Sequence, residues 1–170
     1  GEDFLPRRDR WEAMAERGFL SYRVMALSAD EPSTYPPRSM AAVTTHDLPT
    51  IRGLLSGDDL EAQQRLDLQP NVEGTHAAVA RLRAWAGDHD GTLADEEVVV
   101  RLHALLASSP AHLVAATLED LALMSERPNM PGTTDGWPSW CWSLPAPVDE
   151  VLASDLATRV RAAFAERVDR

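Results

Sequence analysis

Lysine is absent from this chain. All sixteen basic residues are arginine, set against 27 acidic ones, and the net charge is −11. An acidic surface repels phosphate backbones, which argues against nucleic acid as a partner. The acidic residues are dispersed along the chain, the pattern of a solvated exterior. Cysteine is nearly absent. The one residue, Cys141, forms no internal disulfide and offers no metal-ligand spacing, so a reducing, cytoplasmic setting is expected. No apolar run approaches the length of a membrane span. The first residues, Gly1-Glu2-Asp3-Phe4, lack the basic and apolar regions of a signal peptide. His76, His89, His103 and His112 show no HExxH-like spacing and are not metal candidates.

The remaining material suffices for one domain: 170 residues, 44% of them hydrophobic, can bury a core. Its most informative stretch is Thr44-Thr45-His46-Asp47-Leu48-Pro49-Thr50, between the apolar run Met40 to Val43 and the helix-like run Ile51 to Leu55. A strand that feeds a helix through a short polar turn presents its side chains at the strand's carboxyl end, where α/β proteins keep their chemistry. Two readings stand side by side. Thr45 or Asp47 caps the helix, with Pro49 in its first turn, or His46 and Asp47 grip a polar ligand above the strand.

Around that stretch the patterns alternate. Trp11, Met14 and Ala15 predict a helix ended by Gly18. Phe19 to Leu27 reads as a strand, Ser28 to Arg38 as a proline-rich loop, and Ser39 to Thr45 as a second strand. Helices are expected from Asp58 to Leu66, Glu73 to Ala86 and Thr92 to Ala107. Ser109-Pro110 reads as a cap and first-turn pair for the element that follows. His112 to Leu123 is either a strand at Leu113 to Ala116 passing into a short helix or one helix throughout. Arg127 to Pro147 is irregular. Within it Trp140 and Trp142 alternate about Cys141 and would share a face if extended; both are assigned to packing, and Trp137 to neither packing nor ligand. A last helix runs from Asp149 to Val168 on a stripe of Leu152, Leu156, Val160 and Phe164. This order suits a parallel sheet with crossovers. The abrupt opening on Glu2-Asp3 suggests a fragment.

Three motifs in order resemble the amylomaltase family, the 4-α-glucanotransferases of the α-amylase clan. They are Gly1-Glu2-Asp3, the stretch from Thr44 to Thr50, and Asn129-Met130-Pro131-Gly132-Thr133-Thr134 followed by Pro138-Ser139-Trp140. Leu20-Ser21-Tyr22-Arg23-Val24 matches the family strand between the first two. Each motif alone is weak, and the ordered set, which covers nearly the whole chain, is specific.

The resemblance implies an α/β fold: the C-terminal portion of a (β/α)8 barrel spanning residues 1–170, with helical insertions at about 58–107. It implies Glu2 as general acid/base, Asp47 as the carboxylate that stabilises the transition state, and His46 and Asn129 as sugar contacts. No metal or organic cofactor is implied, and the partners are α-1,4-glucans and maltooligosaccharides. The family's nucleophile is an aspartate in an Arg-any-Asp-His-Phe type motif that precedes the acid/base. Arg65-Leu66-Asp67 and Arg8-Asp9 lack the following histidine and lie downstream of Glu2, so neither qualifies. The upstream half of the barrel would be needed for the nucleophile, and this chain alone should not catalyse. Phe4-Leu5-Pro6 also departs from the family's Leu-Gly after Glu-Asp, and Ser139 from its asparagine. The other reading is a non-catalytic remnant that binds α-glucan or a protein partner.

Overall fold

The computed structural model describes residues 13–168. Glu2 and most of the first predicted helix lie outside the described residues. Residues 13–16 are helical. Gly18 closes this turn in the left-handed region (φ 81°), with its amide donating to the Ala15 carbonyl at 3.0 Å and the Phe19 amide to Met14 at 3.0 Å.

Three short strands follow: β1 (Ser21–Val24), β2 (Ser39–Ala42) and β3 (Leu113–Ala115). They pair in chain order and all in parallel, Tyr22 beside Met40 and Met40 beside Leu113. Backbone pairing continues past β1, where the amides of Met25 and Ala26 donate to Ala42 and Val43 at 2.9 and 3.0 Å. Each strand is shorter than its apolar run. The expected strand from Phe19 to Leu27 reduces to four residues because Leu27 and Ser28 turn back onto Val24.

The β2–β3 crossover carries α1 (Ile51–Ser56), α2 (Asp58–Arg65), α3 (Val72–Trp85) and α4 (Asp95–Ser108). Each expected helix exists, with α4 starting three residues late. The Asp88 carboxylate, paired with Arg83, accepts from the Leu93 amide at 3.1 Å, and this holds the approach to α4 in a loop. Ser109 and Pro110 do not start a helix. Ser109 ends α4, and Pro110 leads into β3, where its lack of an amide hydrogen costs nothing. The strand-then-helix reading of residues 112–123 holds, with α5 at Leu118–Leu121.

The closing helix is broken. α6 (Val148–Ala153) and α7 (Asp155–Val168) meet at Ser154, whose extended backbone ends one and whose hydroxyl accepts from the Ala157 amide at 3.1 Å to start the other. The break rotates the first segment, so Val151 is buried and Leu152 is left exposed.

The core lies between the sheet and these helices. From the sheet side come Met25, Ala41 and Val43; α4 supplies Val98, Val99, Leu102 and Leu106, and α7 adds Leu156, Ala157 and Val160. The opposite sheet face carries Tyr22 and Leu113 in one row, each about half open to solvent at 51% and 50%. No described helix is long and apolar enough to cross a membrane.

Candidate active site at the carboxyl ends of the strands

The turn after β2 is built by two threonines. Thr44 is buried, and its hydroxyl donates to the Asp120 carboxylate. Thr50 is the N-cap of α1: its hydroxyl accepts from the Gly53 amide at 3.0 Å and donates to the Met124 carbonyl at 2.5 Å. The expected cap at Thr45 or Asp47 is therefore corrected. Pro49 precedes the cap, and the Asp47 carboxylate makes no bond to the helix that follows. α1 also lies so close to the segment after α5 that a Cβ at position 53 would collide with the Ser125 carbonyl; only glycine fits.

Freed from capping, Asp47 stands above the end of β2 with its side chain 53% exposed. Its Oδ1 accepts from Asn129 Nδ2 at 2.7 Å, and its Oδ2 lies 3.3 Å from His46 Nε2. A carboxylate offers about four acceptor positions. One is taken by Asn129, leaving the others for a ligand's hydroxyls. An exposed contact such as that with His46 adds little to stability. His46 and Asn129 thus meet at Asp47 although Asn129 is 82 residues further along the chain.

Beside this trio opens a cleft of about 410 Å³ lined by Tyr22 of β1, Thr45, His46 and Asp47 after β2, and Thr117, Leu118 and Glu119 after β3. Partial burial raises the Tyr22 phenol above its ordinary value, so at neutral pH it is an uncharged hydroxyl. Acidic, hydroxyl-rich and open, the cleft suits a neutral polyol better than an anion. Among the described residues no cluster of three or more His, Cys, Asp and Glu side chains could hold a metal ion.

What holds Asn129 in place had no visible sign in the sequence. Arg127, two residues earlier, is buried with Asp59 of α2 in a two-pronged ion pair, Nε to Oδ1 at 2.6 Å and Nη2 to Oδ2 at 2.9 Å. Gln63 donates to the same carboxylate at 2.7 Å. The remaining guanidinium nitrogen reaches the Asp47 carbonyl at 3.5 Å, and the Arg127 carbonyl accepts from the Trp137 indole at 3.3 Å. A planar fork of this kind fixes orientation as well as position. It ties the irregular segment to α2 and to the turn that bears Asp47.

Trp140 departs most from expectation. Its backbone is not extended but left-handed (φ 64°), the residue is 64% exposed, and its ring lies 5.3 Å from the His46 ring. Trp142 lies instead against Trp137, with ring centres 5.4 Å apart. The two rings share no face, and Trp140 packs into no core.

Comparison with known proteins finds one family. The 4-alpha-glucanotransferase family, glycoside hydrolase 77, matches residues 7–149. A 4-alpha-glucanotransferase of Mycobacterium tuberculosis strain H37Rv is 37% identical over 135 residues, covering 73% of this chain and 19% of that protein. One from Haemophilus influenzae is 25% identical over 179 residues, covering 91% of this chain and 26% of its own length. The chain thus spans about a fifth to a quarter of these curated relatives. Among solved structures, amylomaltase from Corynebacterium glutamicum superposes with a TM-score of 0.76 at 22% identity, over 94% of this chain and 27% of that one. Amylomaltase from Streptococcus agalactiae in complex with acarbose gives 0.64 at 20% identity, over 97% and 30%. The parallel strands and surrounding helices are therefore the partial barrel seen in these proteins.

Proposed function

The chain belongs to the 4-alpha-glucanotransferase family, glycoside hydrolase 77, and from that membership we propose that it forms the C-terminal part of a catalytic barrel. That barrel moves α-1,4-glucan segments from a donor to an acceptor maltooligosaccharide. The observation that carries this reading is the Asp47 carboxylate, released from helix capping, held by Asn129 and open to the cleft at the strand ends.

Cleavage with retention needs a protonated carboxyl group to supply a proton to the leaving oxygen. It also needs an ionised carboxylate to attack the anomeric carbon, the pair being about 5–5.5 Å apart. Glu2 is assigned the first role. The second falls to an aspartate upstream, because no Arg-any-Asp-His-Phe motif occurs in this chain. Asp47 accepts hydrogen bonds from ring hydroxyls, and these strengthen as the oxocarbenium ion develops. The Asn129 amide donates to Asp47 Oδ1 and holds that oxygen in place. His46, on the rim, contacts the same sugar. The glycosyl-enzyme then passes to the 4-hydroxyl of a second glucan, provided the acceptor excludes water.

The upstream half of the barrel would supply the nucleophile and cover the sheet face that carries Tyr22 and Leu113. Parallel sheets are ordinarily covered on both faces. Residues 58–107, with α2, α3 and most of α4, are then insertions between barrel strands.

A maltotriose disproportionation assay, run on this chain and on the chain with its upstream sequence restored, tests the reading. Redistributed chain lengths only with the longer protein are expected. Free glucose alone would make it a hydrolase. Activity in neither would leave a glucan- or partner-binding remnant, and activity in the short chain would overturn the nucleophile argument.

A further inference from the structure

Large aromatic side chains are ordinarily packed away from water, yet Trp140 is held out in it. Three bonds fix it there. Its amide donates to the Pro128 carbonyl at 2.7 Å, the Cys141 amide donates to Pro138 at 3.0 Å, and the Met130 amide donates to the Ser139 hydroxyl at 3.4 Å. These bonds overlap the segment from which Asn129 reaches Asp47. A left-handed backbone at a bulky residue costs energy and persists where its surroundings impose it. The outcome is an indole 5.3 Å from His46, tilted by 47°, beside the cleft rather than within a core.

Trp137 and Trp142 are accounted for differently. Trp137 spends its indole hydrogen on the Arg127 carbonyl and packs against Trp142. Trp140 has no such hydrogen bond among the described residues, and its one aromatic neighbour is His46, itself on the site's rim. The contact is tilted, and with Trp140 64% exposed much of the side chain stays free for a ligand.

We propose that Trp140 is a substrate-binding residue: a stacking platform for a glucosyl ring of an α-1,4-glucan, adjoining the ring held by Asp47 and Asn129. A pyranose has an apolar face of C–H groups and a rim of hydroxyls. The indole takes the face while neighbouring hydroxyls reach His46 and Asp47. The proposal rests on the reading of this cleft as a glucan site and extends it to a named residue.

The test uses the full-length protein and three readouts: maltoheptaose affinity by titration calorimetry, the tryptophan fluorescence change on binding, and maltotriose transfer kinetics. Trp140→Ala is expected to weaken maltoheptaose binding and raise KM by about tenfold, with a smaller change in kcat. It should also abolish the glucan-induced fluorescence change. Trp140→Phe should restore most of the affinity, and Trp142→Ala should leave it unchanged. If the alanine variant does not fold, Trp140→Leu against Trp140→Phe makes the same comparison, with the aromatic variant binding and the aliphatic one failing. Equal affinity in wild type and the Ala or Leu variants overturns the platform. Binding that depends on Trp140 without any transfer supports the platform and removes the transferase reading alone. No maltoheptaose binding by the wild-type protein overturns both.

Discussion

Two aspartates stand at the ends of neighbouring strands and do opposite things. Asp120, after β3, is 1% exposed and its oxygens are taken by the Thr44 hydroxyl and, at 2.7 Å, the Ile51 amide. Asp47, after β2, is open to solvent with one hydrogen bond, from Asn129, and His46 nearby. Position at a strand end is common to both. They differ in whether the protein itself uses up the acceptor positions. Asp120 builds the turn by tying β3 to the start of α1. Asp47 is what the turn displays.

This contrast can be broken at the residue that joins its two sides. Replacing Arg127 with alanine leaves Asp59 buried without its cation, and the protein should lose about 3–5 kcal/mol of stability. Urea unfolding would measure it. In the full-length protein, the proposed glucan transfer should fall as well, because Asn129 loses its anchor; an unchanged midpoint would mean that the ion pair is not formed in solution.

If Asp47 acts as proposed, Asp47→Asn in the full-length protein should cost about 2–4 kcal/mol of transition-state stabilisation, roughly 30- to 1,000-fold in transfer rate, with the thermal midpoint unmoved. A loss of stability with transfer intact would turn Asp47 back into a structural residue. Asp120→Ala should do the reverse. Two buried donors lose their acceptor, so stability should drop by about 2–3 kcal/mol, with any loss of transfer following the unfolded fraction.

The smallest effect sharpens the comparison through pH. His103 of α4 is fully buried. Its Nδ1 lies 2.8 Å from the Val99 carbonyl, and its Nε2 has no partner. Burial lowers its pKa, against the opposing pull of the nearby Asp120 charge and the Val99 carbonyl. A histidine depressed in this way binds its proton more readily when unfolded. Its stabilising effect is therefore present above the unfolded value of about 6.5 and declines as pH falls below it, by at most about 1.4 kcal/mol per unit. His103→Leu should flatten that decline between pH 7 and 5. Parallel pH profiles of variant and wild type would exclude the histidine as its source.

Much of this was legible because it is local. The strand–turn–helix at 39–56, the helices across 58–108 and the ordered motifs carry their periods and punctuation in adjacent residues. The pairing of Arg127 with Asp59 spans 68 positions and leaves no periodic trace. The same holds for Asp120 reaching Thr44 and Ile51. Both carboxylates look like ordinary first-turn residues of their helices. Ser154 did carry a signal, a serine followed by an aspartate, but the continuous apolar stripe outweighed it. For Trp140 the assignment to packing failed, and the condition for a shared face with Trp142 was not met. Alternation places rings on one face only in an extended chain, and φ 64° removes that premise.

The capping of α1 also sets a boundary of solvent exchange inside the site. The Ile51 amide is bonded to a buried carboxylate and the Gly53 amide to a buried hydroxyl. Their deuterium uptake should require opening of the whole fold. Four residues before Ile51, the Asp47 amide meets only the Thr45 hydroxyl, at 3.3 Å, in an exposed turn, and should exchange orders of magnitude faster. A ligand arriving at Asp47 therefore meets a lip that can adjust, set on a floor that cannot.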